Sequence, residues 1–535
     1  MQVSRLSNKN SRFLGMLKSN IVRLSYITSL LLILVMSSWS TAATQLIENA
    51  YIVDGSGKAG FIGDVRFDKN AIIAIGDLKA TKNEVLINGT GYVLAPGFID
   101  THSHHDGGGL ELATDVSAAI SQGITTIVVG NDGSSRASLK EINKGLLENP
   151  ASLNVASYTG HGSIRFKVMK EDYKREASAD EITSMKKLLR EDMQNGSLGL
   201  STGLEYDPGI YSSKEEVIEL AKVVSKYHGR YISHIRSEDR AFDEALEELI
   251  EIGRQAKLPV QVSHIKLASV DLWGHADRVI SVLEKARAEG IDVTADIYPY
   301  TFWQSTLTVL LPERDFYDLD AARFVLEKLA PADGMTLADY RRNPSLVGKT
   351  IAEIAIERKQ SNEETYLQLI RDAYEGLSPE ELANLEEPLE SVLGVSMDEA
   401  DIGKLIGWKH TNICSDGSSQ GHPRGFGAFP RAIRKYVREQ KLLSIEEMIH
   451  KMTSLSAQHV GITGRGEIKV GYASDLVLFD LTTVTDRASI KFPGRLSEGF
   501  EGVWVNGKRV WQNQNSLSAR PGAFISGPGW TGHQK

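Results

Sequence analysis

Cysteine is all but missing from this chain: Cys414 is the single one among 535 residues. A lone thiol can form no intramolecular disulfide and no cysteine-rich metal cluster, so stability has to come from a hydrophobic core. Cys414 itself lies in an apolar stretch just before Ser415 and Asp416, where a buried, inert thiol is expected rather than a nucleophile. An excess of positive charge is also lacking, since 60 lysines and arginines against 69 acids give a formal net charge of -9. The basic residues are dispersed, and without a basic stripe to neutralise phosphates no nucleic acid is expected as partner. No glycine-rich dinucleotide fingerprint opens any helix, which argues against an open nucleotide-binding sheet. The most apolar run, SYITSLLLILVM at 25–36, is shorter than the roughly 20 residues that a membrane span needs, so no stable membrane anchor is expected.

That run follows Lys18 and Arg23 and precedes the small residues Ser40-Thr41-Ala42-Ala43, the pattern of a secretory signal peptide over 1–43 with cleavage near Ala43. The expected location is therefore periplasmic or secreted, and Met16 is a candidate for the true start. Hydrophobic residues at 41% and charged residues at 24% are ordinary for a soluble protein, and the length suits one large catalytic domain plus a small one.

Short β-prone runs separated by glycine and asparagine turns fill 44–95 and return only at 464–520, which points to one small β-sandwich domain built from both ends of the chain. Between them, over 96–463, strand, polar loop and helix alternate. Candidate strands end at 97–100, 124–130, 154–158, 198–202, 231–233, 260–263, 292–295 and 412–415, with helices expected over 181–194, 214–227 and 242–257. The expected class is α/β, a (β/α)8 TIM-type barrel. The regular spacing breaks at about 301–409, read as a charged helical insertion placed to lie over the C-terminal mouth as a lid.

The unusual polar residues fall at strand ends. His102 and His104 follow the first strand, Asp132 the second, His161 the third, His234 the fifth, His264 and Lys266 the sixth, and Asp416 the eighth. A barrel brings such positions to one rim, where they form a nitrogen and oxygen cage suited to Zn²⁺ or a similar divalent ion. His102 and His104, two apart on an extended segment, point to the same side, and His105 to the other. Asp416 is placed to contact an ion and to take the proton of an attacking water; an Asx-turn before Gly417 is the alternative.

On these residues the chain resembles the amidohydrolase superfamily and, within it, the N-acyl-D-amino-acid deacylases. APGFIDTHSHHD, GNDGSS, GSLGLSTGLEYDPGIYS, SHIRSE, PVQVSHIK, DVTADIYPY, CSDG with HPRGFGAFPR, and GYASDLVLFD carry the likeness in order across nearly all of the chain after the leader. The resemblance implies that His234, His264 and the strand-two residue hold the tighter of one or two ions, and that His102, His104 and Asp416 form the adjoining position. It implies Asp416 as the catalytic base and acid, and Tyr206, Lys266, Tyr298 and Arg424 as the binders of a small substrate's free carboxylate. His161 is a further candidate for substrate contact, with a structural hydrogen bond as the alternative. The strand-two ligand is usually cysteine in that family and is Asp132 here, a harder donor that suits Zn²⁺ and also Mn²⁺ or Co²⁺. A dipeptidase or cyclic amidase of the same superfamily, or a non-catalytic binding protein on the same scaffold, are the competing readings. STGLEY offers no strand-four lysine of the kind that bridges two ions in several such relatives.

Overall fold

Short strands buried on both faces alternate with amphipathic helices, and this alternation winds into a parallel barrel. The computed structural model describes residues 44–532 apart from 70, 106–115, 136–137 and 379–387, so the expected signal peptide lies outside the described residues. Among the described residues the barrel strands are β1 (Phe98–Asp100), β2 (Ile124–Val129), β3 (Asn154–Ser157, resuming as Thr159–Gly160), β4 (Gly199–Gly203), β5 (Arg230–His234), β6 (Val260–Val262), β7 (Val293–Ile297) and β8 (Thr411–Ile413). Each pairs in parallel with the next, and β3 changes partner at Tyr158, its first half on β2 and its second on β4. Every residue of β2 and of β7 is buried, as expected of strands covered by helices outside and by the barrel core inside.

The ring closes between β1 and β8. Ser103 and Gly417 form a parallel bridge, the Asp416 amide donates to the His102 carbonyl at 2.8 Å, and the His104 amide donates to the Gly417 carbonyl at 2.8 Å. Below them the fully buried Asp100 accepts the Ser415 amide at 2.8 Å and the Ser415 hydroxyl at 2.5 Å. Burial pushes the Asp100 carboxyl up to about 7, against the lowering pull of those two bonds.

The helices start where the sequence supplies caps. Ser178 and Glu181 form a capping box before Ala179–Gln194, and the Ser213 side chain caps Lys214–Ser225. The helix Phe242–Ala256 turns eight residues, Leu246, Leu249 and Ile250 among them, into the core and ends on Lys257 in the left-handed conformation.

The stretch 301–409 is less helical than its charge suggests. Phe302–Ser305, Glu390–Val395 and Met335–Tyr340 form a three-stranded antiparallel sheet, with Leu319–Phe324, Ile351–Arg358 and Asn362–Tyr374 as its helices. Its last helix, Glu399–Gly407, belongs to the barrel wall: Asp401 accepts from the Gly274 and Ala276 amides, and Lys404 meets Asp277 at 2.6 Å. The inserted lid therefore ends before that helix.

Both ends of the chain share one sheet. In order it runs Asn515–Ser516, Lys508–Gln512, Phe500–Val505, Leu476–Phe479, Val93–Pro96, Gln45–Ile52, Phe61–Phe67 and Ile72–Gly76, with Val85–Asn88 also pairing on Gln45–Ile52. Phe67 and Trp504 stand on strands well separated in that order, yet their rings meet edge-on at 6.1 Å, so the sheet folds over and its two arms face each other around a common core. Asp475 joins this domain to the barrel, accepting from the Asn154 side chain at 3.1 Å and from the Asn506 amide at 2.7 Å.

After the last strand the chain runs as a strap beneath the barrel. Val155 on β3 donates its amide to the Ala523 carbonyl and accepts the Ile525 amide, the Gly522 amide donates to Ala151, and the Gly527 amide donates to Gly196. A Cβ on Gly522 would fall 1.9 Å from the Leu153 carbonyl oxygen. Gly522→Ala is therefore expected to push the strap off the barrel and destabilise the protein by about 1–3 kcal/mol. A lowered thermal midpoint, set against an unchanged or raised one for Gly407→Ala where no atom lies within 4 Å, checks this.

Candidate active site

At the C-terminal rim the strand ends deliver their side chains to one place. Asp132 is the hub. Its Oδ2 lies 3.1 Å from His102 Nε2 and 3.3 Å from His104 Nε2, and its Oδ1 lies 3.4 Å from His264 Nε2. His264 Nε2 in turn faces His234 Nδ1 at 3.1 Å. Asp416 Oδ1 closes the other side, 3.4 Å from His102 and 3.3 Å from His104. The carboxylate of Asp132 thus stands between two groups, His234 with His264 and His102 with His104 and Asp416. His105, the next residue along, is buried, with neither ring nitrogen bonded among the described residues, and burial lowers it to about 4.

Three of these residues hold unusual backbone: φ is 51° at Asp132, 36° at His264 and 48° at Asp416. Non-glycine residues adopt the left-handed region rarely, at a cost of order 1–3 kcal/mol. Here the surroundings impose it. The fully buried Asp296 on β7 accepts the His264 amide at 2.5 Å and the Gln261 side chain at 2.5 Å, pinning the turn at the end of β6.

The local field is strongly negative. Burial and Lys266 would lower His264, yet Glu238, Asp416 and Asp132 bring it up to about 10; His104 also reaches about 10, Asp132 and Asp416 overcoming its burial. Burial would raise both aspartates, but His102 and His264 hold Asp132 well below the usual carboxylate range, and Arg424 with the same histidines does so for Asp416. A pocket that binds protons this strongly favours any cation.

Two acids that the sequence pattern did not single out lie behind the histidines. Glu205 Oε2 is 2.8 Å from His234 Nε2, and Glu238 Oε1 is 3.1 Å from His264 Nδ1. Lys266 is 5% exposed, and its ammonium is committed to Glu238 at 2.5 Å and to His264 Nδ1 at 2.7 Å. Tyr206 points its hydroxyl at His234 Nδ1, 3.1 Å away.

Arg424 reaches Asp416 Oδ2 at 2.7 Å and packs over the Tyr298 ring, 4.5 Å from its centroid. Its Nε and the Tyr298 hydroxyl are buried without hydrogen-bond partners among the described residues. His422 holds this corner: its Nδ1 accepts the Arg424 amide at 2.9 Å, and its Nε2 donates to the Phe302 carbonyl on the lid sheet at 2.9 Å. His161 does not join the cluster. It is fully buried, 2.8 Å from Glu216, and Arg165 pairs with the same carboxylate, so its bond is structural rather than one to substrate.

Above the cluster lies a cavity of ≈ 1680 Å³. Asp132, Tyr206, Lys266, Tyr298, Asp416 and Arg424 line its floor, and lid residues such as Trp303, Val309, Leu310 and Tyr374 its roof. The donors fit a divalent ion. His102, Asp132, His264 and Asp416 each offer a ligand atom, all within 4.8 Å of one another. Asp132 Oδ1 is buried and has no hydrogen-bond partner among the described residues, a place that a coordinated cation would fill. The mixed nitrogen and oxygen set suits zinc and its first-row neighbours.

The chain is 33% identical to the D-aminoacylase of Alcaligenes xylosoxydans xylosoxydans over 90% of its own length and 97% of that protein's. It is 33% identical to the N-acyl-D-aspartate deacylase of the same organism, over 90% and 95%. Among solved structures, the N-acyl-D-glutamate deacylase of Bordetella bronchiseptica, complexed with zinc and a phosphonate mimic of the tetrahedral intermediate, superposes with a TM-score of 0.80 at 29% identity, covering 91% of this chain and 100% of that one. The sequence profile of the amidohydrolase family matches residues 85–333 and 409–511, and the chain belongs to that family.

Proposed function

We propose that this protein hydrolyses the amide bond of N-acyl-D-amino acids, with Asp416 as the proton carrier and a divalent ion at the Asp132 hub. One observation carries the reading: Asp416 is shared, Oδ1 facing the histidine cluster and Oδ2 held by Arg424 at 2.7 Å. The carboxylate-binding corner and the hydrolytic centre are thereby tied to one side chain. The similarity to deacylases of D-amino acids supports the substrate class and its handedness.

His234, His264 and Asp132 would hold one ion, and His102, His104 and Asp416 an adjoining one. When bound, such an ion polarises the scissile carbonyl and lowers the pKa of water toward neutrality. Asp416 is ionised, so its Oδ1 can accept a proton from the attacking water and return it to the departing nitrogen, without which the amine leaves poorly. Arg424 and the Tyr298 hydroxyl, buried with unused donors, receive the substrate carboxylate. The lid roof keeps bulk water off this corner, and the apolar Trp303, Val309 and Leu310 offer contact surface for the rest of the substrate.

Zinc is the proposed ion. A carboxylate where the resemblance leads one to expect thiolate widens the choice toward Mn²⁺ and Co²⁺. The leader over 1–43 supports a site of action outside the cytoplasm.

Asp416→Asn is expected to cut kcat by about 10²–10⁴-fold while substrate still binds, checked by steady-state kinetics and by equilibrium binding of the same substrate. Chelation should abolish turnover and divalent metal restore it. Asp132→Ala should retain little of the metal that elemental analysis finds in the unaltered protein. Matched N-acetyl-D and N-acetyl-L amino acids, with dipeptides alongside, decide the substrate class: preference for the L series or for dipeptides would overturn the reading.

A further inference from the structure

We propose that His422 is a positioning residue that ties the lid strand to Arg424, and that through this tie the lid sets the protein's selection of substrates with a free carboxylate. The inference rests on the reading above that Arg424 and Tyr298 receive that carboxylate.

The two donors stand on two segments. Tyr298 follows β7 directly, and the same stretch runs on through Tyr300 into the lid strand Phe302–Ser305. Arg424 opens the helix Arg424–Ala432, and the N-cap residue, Pro423, offers no side-chain cap. Amides in the first turn of a helix have no carbonyl within the helix to meet. His422 supplies the missing acceptor, its Nδ1 taking the Arg424 amide at 2.9 Å while its Nε2 meets the Phe302 carbonyl at 2.9 Å. One ring therefore joins the segment that carries Tyr298 to Arg424 itself.

Backbone chemistry fixes the state of that ring. An amide can only donate and a carbonyl only accept, so Nδ1 is bare and Nε2 carries the proton. Burial, with Arg424 close by, holds the imidazole well below its ordinary value, in the neutral form that this bridge needs. Both nitrogens are engaged and the side chain is buried, so His422 acts through Arg424 and not on substrate.

The lid grips the same residue in other ways too. The His422 amide donates to Gln304 Oε1 at 2.7 Å, and Gln304 Nε2 goes on to Ser391, on the neighbouring lid strand, at 2.8 Å. The His422 and Phe302 rings stack with centroids 4.3 Å apart. Gly421 lies so near that a Cβ there would fall 2.3 Å from Gln304 Nε2. A shift of the lid strand is thus passed to His422 and on to the Arg424 amide. Farther along the helix, Arg431 Nε donates to the Pro299 carbonyl at 2.7 Å, and its guanidinium packs over the Tyr300 ring, 4.4 Å from the centroid. These contacts keep the helix docked without His422, and what the imidazole governs is its first residue. Two donors share one carboxylate only at a fixed separation, and a misplacement of about 1 Å can cost about 100-fold.

The test compares amine release from the N-acetyl-D-amino acid that the protein cleaves fastest and from its primary carboxamide, which keeps every other group. The unaltered protein should prefer the acid, and Arg424→Met should abolish that preference. His422→Phe keeps a ring against Phe302 and loses both bonds; it is expected to lower the preference about 10–100-fold, mostly through the KM of the acid. His422→Asn can still accept the amide two residues on, but its side chain is too short for the Phe302 carbonyl, so the preference should fall about 10-fold. Circular dichroism and the thermal midpoint report folding, and should His422→Phe not fold, His422→Asn carries the test alone. A preference within about threefold of the unaltered protein's in either folded variant, or equal losses on both substrates, overturns the proposal. Absence of the preference in the unaltered protein, or its survival in Arg424→Met, would instead overturn the carboxylate reading on which the proposal stands.

Discussion

The seam between the first and eighth strands is the constraint on which the rim depends. Asp100 holds Ser415 by amide and hydroxyl, and one residue further on the Asp416 amide holds the His102 carbonyl. His102 and His104 lie more than three hundred residues from Asp416, on the other side of this seam, so their contacts with it exist only while the seam is closed. The carboxyl of Asp100 is costly to bury, and both its oxygens are spent on the neighbouring strand. A buried polar group that is fully satisfied specifies one register, because a slipped strand would leave it without partners.

The hub is held in a conformation that its residues would not choose. Left-handed backbone at Asp132, His264 and Asp416 directs three strand ends inward over the barrel axis. That strain is offset by bonds outside the cluster, such as Asp296 on the His264 amide and the seam itself on Asp416. The proposed ligand set is thus held by bonds from outside it, and on that reading selectivity among cations would rest on the donor atoms and their spacing.

Much of this was legible in the sequence. The barrel strands show as short apolar runs with polar residues at their ends, and His102, His104, Asp132, His234, His264 and Asp416 each follow such a run closely. What was not legible has physical reasons. The lid strands Met335–Tyr340 and Glu390–Val395 mix acids with apolar residues and pair across some fifty residues, so local periodicity gives them away poorly. His161 follows a strand as the others do, and only the fold reveals the buried Glu216 and Arg165 that claim it. Glu205 and Glu238 sit a few residues beyond the strand ends, in STGLEY and SHIRSE, where an acid reads as ordinary loop polarity; their meaning comes from facing imidazoles on other strands. Lys266 was legible as a cation at the rim, but not as one already engaged by a glutamate.

The sheet shared by both termini also has a temporal side. Gln45 bonds to Gly507 across a sequence separation of 462, and Val93–Pro96 pairs with Leu476–Phe479. During synthesis the opening strands must wait, with one edge bare, until nearly the whole polypeptide has been made, and the strap under the barrel arrives later still. Such non-local pairing slows folding and leaves the growing chain without a finished core for most of its elongation. The enzyme therefore matures as a unit at the end of translation, and a truncated product would expose an unpaired strand edge, the kind of surface on which chains aggregate.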